Sequence, residues 1–462
     1  MQNSAICYRI GVFGHYGHAN LGDEAIIEAT IQNLRDRLPT VQITGLSMDA
    51  VDTSNRYGIP AYTIRHLEGN EVKKTDSSAK KANVSHVNFF AASIGVSIGR
   101  LWDYLRRIAF LRAMVHSTRF LFRLPRLFWL ECGFLYKSYR VARKLDCLFV
   151  AGSNQFLDNF GGVWGFPYTL LKWTVLARCA GARVIFVSVG AGPIDSIWSR
   201  IFVRGALFLA DYVSFRDDGS RKLIEWFGSG GRWQVYPDLA QSLMFESGSR
   251  SGASDKPVVG INPMPVYDRR AWCEPDDFRY EHYISQLALF VCRLLRDRYP
   301  VFFFATQPSD EPVIDDVISR LDANTIEKYG LPNRWRQCQT VAGIMNALES
   351  ADIVVPTRYH GTVLALRAGR PVLGICYYRK TREVLKSMDQ QQYAIDLDRV
   401  CDAELWSRFV TLVANREEET RTIERRGAER CKLLAEQYDC ILQLLGIRVD
   451  SGANISSSNS NY

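Results

Sequence analysis

Two residues in the last third of the chain have the types and spacing to handle an anion and a proton together. Within ADIVVPTRYHGTVLALRAGRPVLGICYYRK, Arg358 and His360 flank a single residue, after an apolar run and before a helical pattern that starts near Gly361. In an extended segment residues i and i+2 point the same way, so guanidinium and imidazole would face one pocket. A fixed cationic fork beside a group that titrates near neutrality suits an anionic substrate whose conversion moves a proton. Lys380 follows the end of the next apolar run and adds a third cation. A lone histidine is more often structural than catalytic; the position of His360, beside an arginine at a strand end, favours function.

Three further segments carry polar groups at equivalent places. In GVFGHYGHANLGDEAIIEATIQNL a strand ends at Phe13, and a glycine-rich turn from Gly14 to Gly22 feeds a helix beginning near Asp23. Small residues let backbone amides approach a ligand, and a helix N-terminus favours anions. Asn20, Gly22 and Asp23 are therefore candidate substrate contacts, although Asp23 equally suits a plain helix cap. The segment lacks GxGxxG, which argues against a dinucleotide. In FVAGSNQFLDNFGG, Gly152, Ser153 and Asn154 follow another strand, where they suit either ligand hydrogen bonds or a turn. In DYVSFRDDGSRKLI, Arg216 ends a strand, ready for a ligand or for a salt bridge to Asp217 or Asp218. Each signal is weak alone. All four fall at the carboxyl ends of expected strands, where open α/β sheets bind ligands.

The elements that must hold these residues read as alternating short β runs and helices. Strands are expected at Ile10–Phe13, Val41–Leu46, Cys147–Ala151, Val184–Val189 and Tyr212–Phe215, with helices at about Gly22–Leu38, Pro167–Ala180 and Gly219–Phe227, the pattern of a doubly wound parallel sheet. A Ser/Gly-rich stretch from Glu246 to Lys256 marks a boundary, and the alternation restarts with strands at Val258–Ile261, Val301–Ala305, Ile353–Val355 and Val372–Ile375. The expected fold class is α/β, with two Rossmann-like domains facing a cleft. The first spans 1–245, with a linker and a basic amphipathic helical insertion at 70–145; the second spans 256–448; a Ser/Asn-rich tail at 451–462 reads as disordered.

With 462 residues, 47% apolar and 23% charged, the chain has the balance of a folded globular protein too long for one ordinary core. It offers no apolar run long enough for a spanning helix and no signal-peptide pattern at its start. Its eleven cysteines follow no repeated Cys/His spacing, so no metal and no disulfide scaffold is expected, and the cytoplasm is the default location. The net charge of +8 is concentrated between Arg100 and Lys144, where eleven Lys/Arg meet only Asp103 and Glu131. No nucleic-acid-binding module accompanies that charge. Its mixture with Leu, Phe, Trp and Tyr leaves two readings: a peripheral contact of 100–144 with the inner face of a membrane, or an amphipathic hairpin packed on the protein.

Taken in order, ANLGDEAI, AGSNQFLD, VSFRD, YPDLA and TRYHGTVLALRAGRPVLGICYYRKT resemble the polysaccharide pyruvyl transferase family, from about residue 8 to about residue 390 apart from the basic insertion. The resemblance implies a GT-B-like fold and transfer of a carboxyethylidene group from phosphoenolpyruvate to sugar hydroxyls, which makes a pyruvate ketal. It also implies that Arg216 and Arg358 hold the donor, with Lys380 assisting. His360 would be the acid/base, either protonating the enol carbon or taking the proton of the attacking hydroxyl. No cofactor is implied, and the partners would be phosphoenolpyruvate and a saccharide acceptor, free or lipid-linked. The family's glycine-rich middle motif stands here as AGSN, which puts the contacts of Ser153 and Asn154 in question. Two rivals stand beside this reading: a GT-B glycosyltransferase using a nucleotide sugar, and a non-catalytic scaffold in polysaccharide assembly. The basic groups around Arg358 and His360 argue against a ribose-binding carboxylate there, and a degenerate cleft has no reason to keep Arg216, Arg358 and His360 together.

Overall fold

Short runs that are apolar on both faces, such as CLFVA and VIFVSV, fit strands covered by helices on either side. The computed structural model describes residues 7–65, 128–158, 161–228, 230–231, 233–245, 256–330, 333–334 and 339–447. The expected tail at 451–462, the boundary residues 246–255 and the insertion up to residue 127 lie outside the described residues.

The chain begins β1 (Arg9–Phe13), α1 (Leu21–Arg37), β2 (Gln42–Ser47), α2 (Ala50–Tyr57) and β3 (Ala61–Thr63). Residues 128–142 form helix α3. There follow β4 (Cys147–Ala151), α4 (Phe166–Cys179), β5 (Arg183–Val189), α5 (Ile197–Phe208), β6 (Tyr212–Phe215), α6 (Asp218–Trp226) and β7 (Gln234–Val235). Among the described residues these seven strands make one parallel sheet in the order β3-β2-β1-β4-β5-β6-β7. The winding reverses between β1 and β4, so a crevice opens at their carboxyl ends. Those ends lead into the Gly14–Gly22 turn and into Gly152–Asn154.

The second half repeats the plan with β8 (Val259–Asn262), α7 (Asp277–Arg296), β9 (Val301–Phe303), α8 (Glu311–Ser319), α9 (Ala323–Tyr329), β10 (Asn333–Arg334), α10 (Val341–Ser350), β11 (Ile353–Pro356) and α11 (Tyr359–Arg367). The described strands here run parallel in the order β10-β9-β8-β11, with the reversal between β8 and β11. The loop after β11 carries Arg358. Then come β12 (Gly374–Cys376), α12 (Arg379–Ser387), β13 (Ala394–Asp396), α13 (Asp402–Ala414) and α14 (Arg416–Leu444). A bridge between Val354 and Val372 links β11 to the β12–β13 pair.

The two halves share one continuous apolar core, in which Ile10, Phe149 and Ile185 cluster with Val354, Leu364 and Tyr438. Helix α14 produces much of this continuity by returning to the first sheet. Its Tyr438 stacks on Phe149 at 6.1 Å between ring centroids, and Gln437 Nε2 donates to Ser214 Oγ at 2.6 Å. Fully burying one such aromatic side chain stabilises by about 1.5–3 kcal/mol, and truncating it to alanine costs about 3–5 kcal/mol. A further compact unit comprises Arg65 to Val141. In it α3 exposes Phe128, Trp129 and Tyr136. No described helix is long and apolar enough to cross a membrane.

Candidate active site

The two crevices form one cavity of about 440 Å³, lined from the first half by His15, Asn20, Asp23, Ser153, Asn154 and Arg216 and from the second by Arg358, Tyr359, His360, Tyr378 and Lys380, among others. Seven of the expected contact residues besides His360 therefore meet in one place. Gly22 and Gly152 do not line it. A Cβ on Gly152 would sit 2.3 Å from the Ser188 carbonyl oxygen, so this glycine lets the end of β4 approach β5 closely.

The first wall is the start of α1. Asn20 caps the helix, its side chain accepting from the Gly22 amide at 3.2 Å, and its Nδ2 donates to Asp23 Oδ2 at 2.7 Å. Asp23 is thus in the first turn, and the capping role open to it in the sequence belongs to Asn20. Burial pushes the Asp23 carboxyl up to about 7; Arg216 opposes this while Glu24 adds to it. The Leu21 amide donates to the Thr306 carbonyl at 3.1 Å, tying this wall to the second half.

Arg216 reaches the floor from the end of β6. Its Nη1 donates to Asp238 Oδ2 at 3.2 Å, with Asp217 Oδ2 farther away at 3.8 Å from Nε. Asp218, the other expected partner, pairs instead with Arg221 and Lys222. The Tyr359 ring lies under the guanidinium at 4.8 Å. The buried Nε of Arg216 has no hydrogen-bond partner among the described residues. A Cβ at Gly190 would lie 2.6 Å from that Nε, so only glycine admits the guanidinium here.

Helix α11 begins at Tyr359, two residues earlier than expected, and Arg358 is its extended N-cap. Alternation along a strand is therefore not what aims the two side chains. Arg358 turns to the buried Asp310, Nε donating to Oδ1 at 2.8 Å, and Nη2 donates to Ser309 Oγ at 3.0 Å. The other Asp310 oxygen accepts from the Thr306 and Gln307 amides, both at 3.1 Å, so the carboxylate is locked. His360 lies on the first helical turn against Gly22. Its buried Nε2 has no hydrogen-bond partner among the described residues; Asp238 Oδ2 is 3.9 Å away. Burial pushes the imidazole down to about 4, opposed by Asp238 and reinforced by Arg216 and Arg358. A neutral histidine with an unengaged ring nitrogen can accept a proton at pH 7.

Lys380, on the first turn of α12, donates through Nζ to Asn154 Oδ1 and to the Ala191 carbonyl, both at 2.6 Å. Burial pulls it down to about 7, with Arg216 adding to the effect and Asp217 opposing it. Ser153 Oγ accepts from Gln155 Nε2 at 2.9 Å, which is the turn role it also suited. Residues the sequence did not single out complete the site. Asp238 accepts from Arg216 and, at 3.3 Å, from the Tyr359 hydroxyl. It stands just beyond β7 in YPDLA, one of the segments that carry the resemblance, which was its signal. Asp310 meets Arg358 across 48 residues of sequence and carried none.

A family model described as polysaccharide pyruvyl transferase matches residues 20–378. No curated protein matches the sequence. Among solved structures, a proposed UDP-N-acetylglucosamine 2-epimerase from Listeria monocytogenes is similar, with a TM-score of 0.56 at 10% identity over 95% of this chain and 98% of that one. MnaA from S. aureus with UDP gives a TM-score of 0.51 at 9% identity over 95% and 98%. A glycosyltransferase from Rickettsia africae gives 0.50 at 8% identity over 94% and 99%. These likenesses establish the GT-B-like fold.

Proposed function

The chain belongs to the polysaccharide pyruvyl transferase family, and we propose that its cavity transfers the carboxyethylidene group of phosphoenolpyruvate to two hydroxyls of a saccharide, in a polysaccharide or its lipid-linked precursor. The observation that carries this reading is the convergence of Arg216, Arg358 and Lys380 around the unengaged Nε2 of His360. A donor with a carboxylate and a phosphate needs several cations, and planar guanidinium groups suit both anions.

In this reading Arg216 and Arg358 hold the donor and Lys380 faces its phosphate. Addition of a sugar hydroxyl to the donor's C2 is coupled to protonation of C3, which becomes the methyl group, and His360 Nε2, neutral near pH 7, relays the proton from the hydroxyl to C3 with Asp238 close by. The second hydroxyl displaces phosphate at C2, closing the ketal, and its proton leaves with the phosphate. The cations stabilise the charge that builds on the departing group.

The test is thermal unfolding with phosphoenolpyruvate and, separately, with nucleotide sugars. A ligand at 100 times its dissociation constant stabilises by about 2.7 kcal/mol. A rise in Tm with phosphoenolpyruvate that is lost in Arg358→Ala supports the proposal. A rise with a nucleotide sugar alone overturns it in favour of glycosyl transfer.

A further inference from the structure

The turn between β1 and α1 holds two histidines whose role the donor chemistry does not use. His15 and His18 are three residues apart in GHYGHANLGDE, and their rings meet edge to face at 4.3 Å between centroids. One ligating atom from each, together with a carboxylate oxygen of Asp23, lies within 4.8 Å of the others. We propose that His15, His18 and Asp23 form a binding site for a divalent transition-metal ion, zinc in preference to magnesium, at the edge of the cavity.

The turn is built to hold this arrangement. Gly17 takes a left-handed φ of 81°, and a Cβ there would lie 2.8 Å from the Asp49 carbonyl oxygen, so the backbone is pressed against the loop after β2. Ala19 is also left-handed, at φ 62°, a conformation that costs about 1–2 kcal/mol for a residue with a side chain. The Gly17 amide donates to Glu24 Oε1 at 2.8 Å, and the Met48 amide donates to the Tyr16 carbonyl at 2.9 Å. Strain held by such anchors is common where side chains must be aimed.

The surroundings supply the outer contacts that metal ligands have. Metal-ligating histidines turn their other ring N–H to a carbonyl or carboxylate, and the Tyr16 carbonyl is close enough to act on the His18 ring in that way. Asn20 Nδ2 donates to Asp23 Oδ2, which leaves Oδ1. Two imidazoles and one carboxylate suit zinc, whereas magnesium prefers an all-oxygen shell. Tetrahedral zinc with bonds of about 2.0–2.1 Å sets its ligands roughly 3.4 Å apart, so the three atoms, now within 4.8 Å of one another, draw together when an ion binds. Arg216 and Arg358 also act on Asp23, so an ion must gain its place by coordination rather than by charge alone. His15 and Asp23 line the cavity, so an open coordination position faces it; if phosphoenolpyruvate is the donor, one of its oxygens would complete the shell.

The full chain, made without a histidine tag and stripped with chelator, is titrated with Zn²⁺, Mg²⁺ and Co²⁺ in separate experiments without donor. About one equivalent of Zn²⁺ is expected to bind, at least about 100-fold more tightly than Mg²⁺. Co²⁺ is expected to show visible d–d absorption without thiolate charge transfer. His18→Ala and His15→Ala should each lose that equivalent and the Co²⁺ spectrum while keeping the metal-free Tm. Retention of the equivalent in both variants, a thiolate signature, or no binding at micromolar Zn²⁺ overturns the site. None of these outcomes depends on whether phosphoenolpyruvate is the donor.

Discussion

Gly22 and His360 occupy a space that admits only one side chain: a Cβ on residue 22 would lie 2.1 Å from His360 Nδ1. The glycine belongs to the first turn of α1 and the histidine to the first turn of α11, so two helix starts from opposite halves press together at the site. Gly22→Ala must therefore push the imidazole aside. A displacement of about 1 Å in a catalytic group costs on the order of 10²-fold in rate. Turnover should fall by about that factor in Gly22→Ala while phosphoenolpyruvate still raises the Tm. Full activity in the variant would show that the ring position is not required.

Replacing His360 separates chemistry from donor binding. If it takes and returns the proton, His360→Gln should lower kcat by about 10²–10⁴-fold. Arg216 and Arg358 remain, so the donor should still stabilise the fold. The wild-type imidazole, held down to about 4, stays neutral through neutral pH, so kcat/KM should fall on the acid side only as pH approaches 4. An acid limb near the ordinary histidine value of 6.5 would contradict the buried environment.

Lys380 should set the alkaline limb. Its amine is pulled down to about 7, so its positive charge is lost as pH rises through that value. Donor affinity should weaken above about pH 7, and Lys380→Met should bind weakly at every pH without that slope. Folding responds with the opposite sign. Between about 7 and the ordinary lysine value of 10.5 the unfolded chain binds more protons than the folded one, so this lysine makes stability rise with pH. Denaturant midpoints for wild type and Lys380→Met across that range measure both the sign and the size.

What could be read in advance was what depends on local pattern. The runs at Cys147–Ala151 and Tyr212–Phe215 are strands because each is short, apolar and followed by polar turn residues, and the groups after them do reach the cavity. Helices α2 and α5 went unread. The first is short and mostly polar, and the second exposes Ile197, Trp198, Ile201 and Phe208, which blurs its apolar face. The carboxylates that hold the two arginines were not identified, because Asp310 and Asp238 meet them only through the pairing of distant loops. The packing of Gly22 against His360 had no local signal either, because it involves a helix start more than 300 residues later in sequence.

Asp238 stands between Arg216 and His360, and its two contributions can be separated by substitution. It accepts from Arg216 at 3.2 Å and from the Tyr359 hydroxyl at 3.3 Å, lies 3.9 Å from His360 Nε2, and its other oxygen accepts from the Ala240 amide at 3.0 Å. Asp238→Ala leaves the buried Arg216 without its closest carboxylate, a change that costs about 3–5 kcal/mol in comparable buried pairs. Asp238→Asn keeps an oxygen for the Ala240 amide and can turn its Nδ2 to donate to the Tyr359 hydroxyl, but removes the charge and the oxygen that accepts from Arg216. Because Asp238 raises the His360 pKa, its loss makes the imidazole a weaker base and leaves the protonated ring without a counter-charge. Asp238→Asn should therefore retain most of the fold's stability yet lose turnover, whereas Asp238→Ala should lose both. Equal activity in wild type and Asp238→Asn would confine Asp238 to holding Arg216 and remove it from the proton's path.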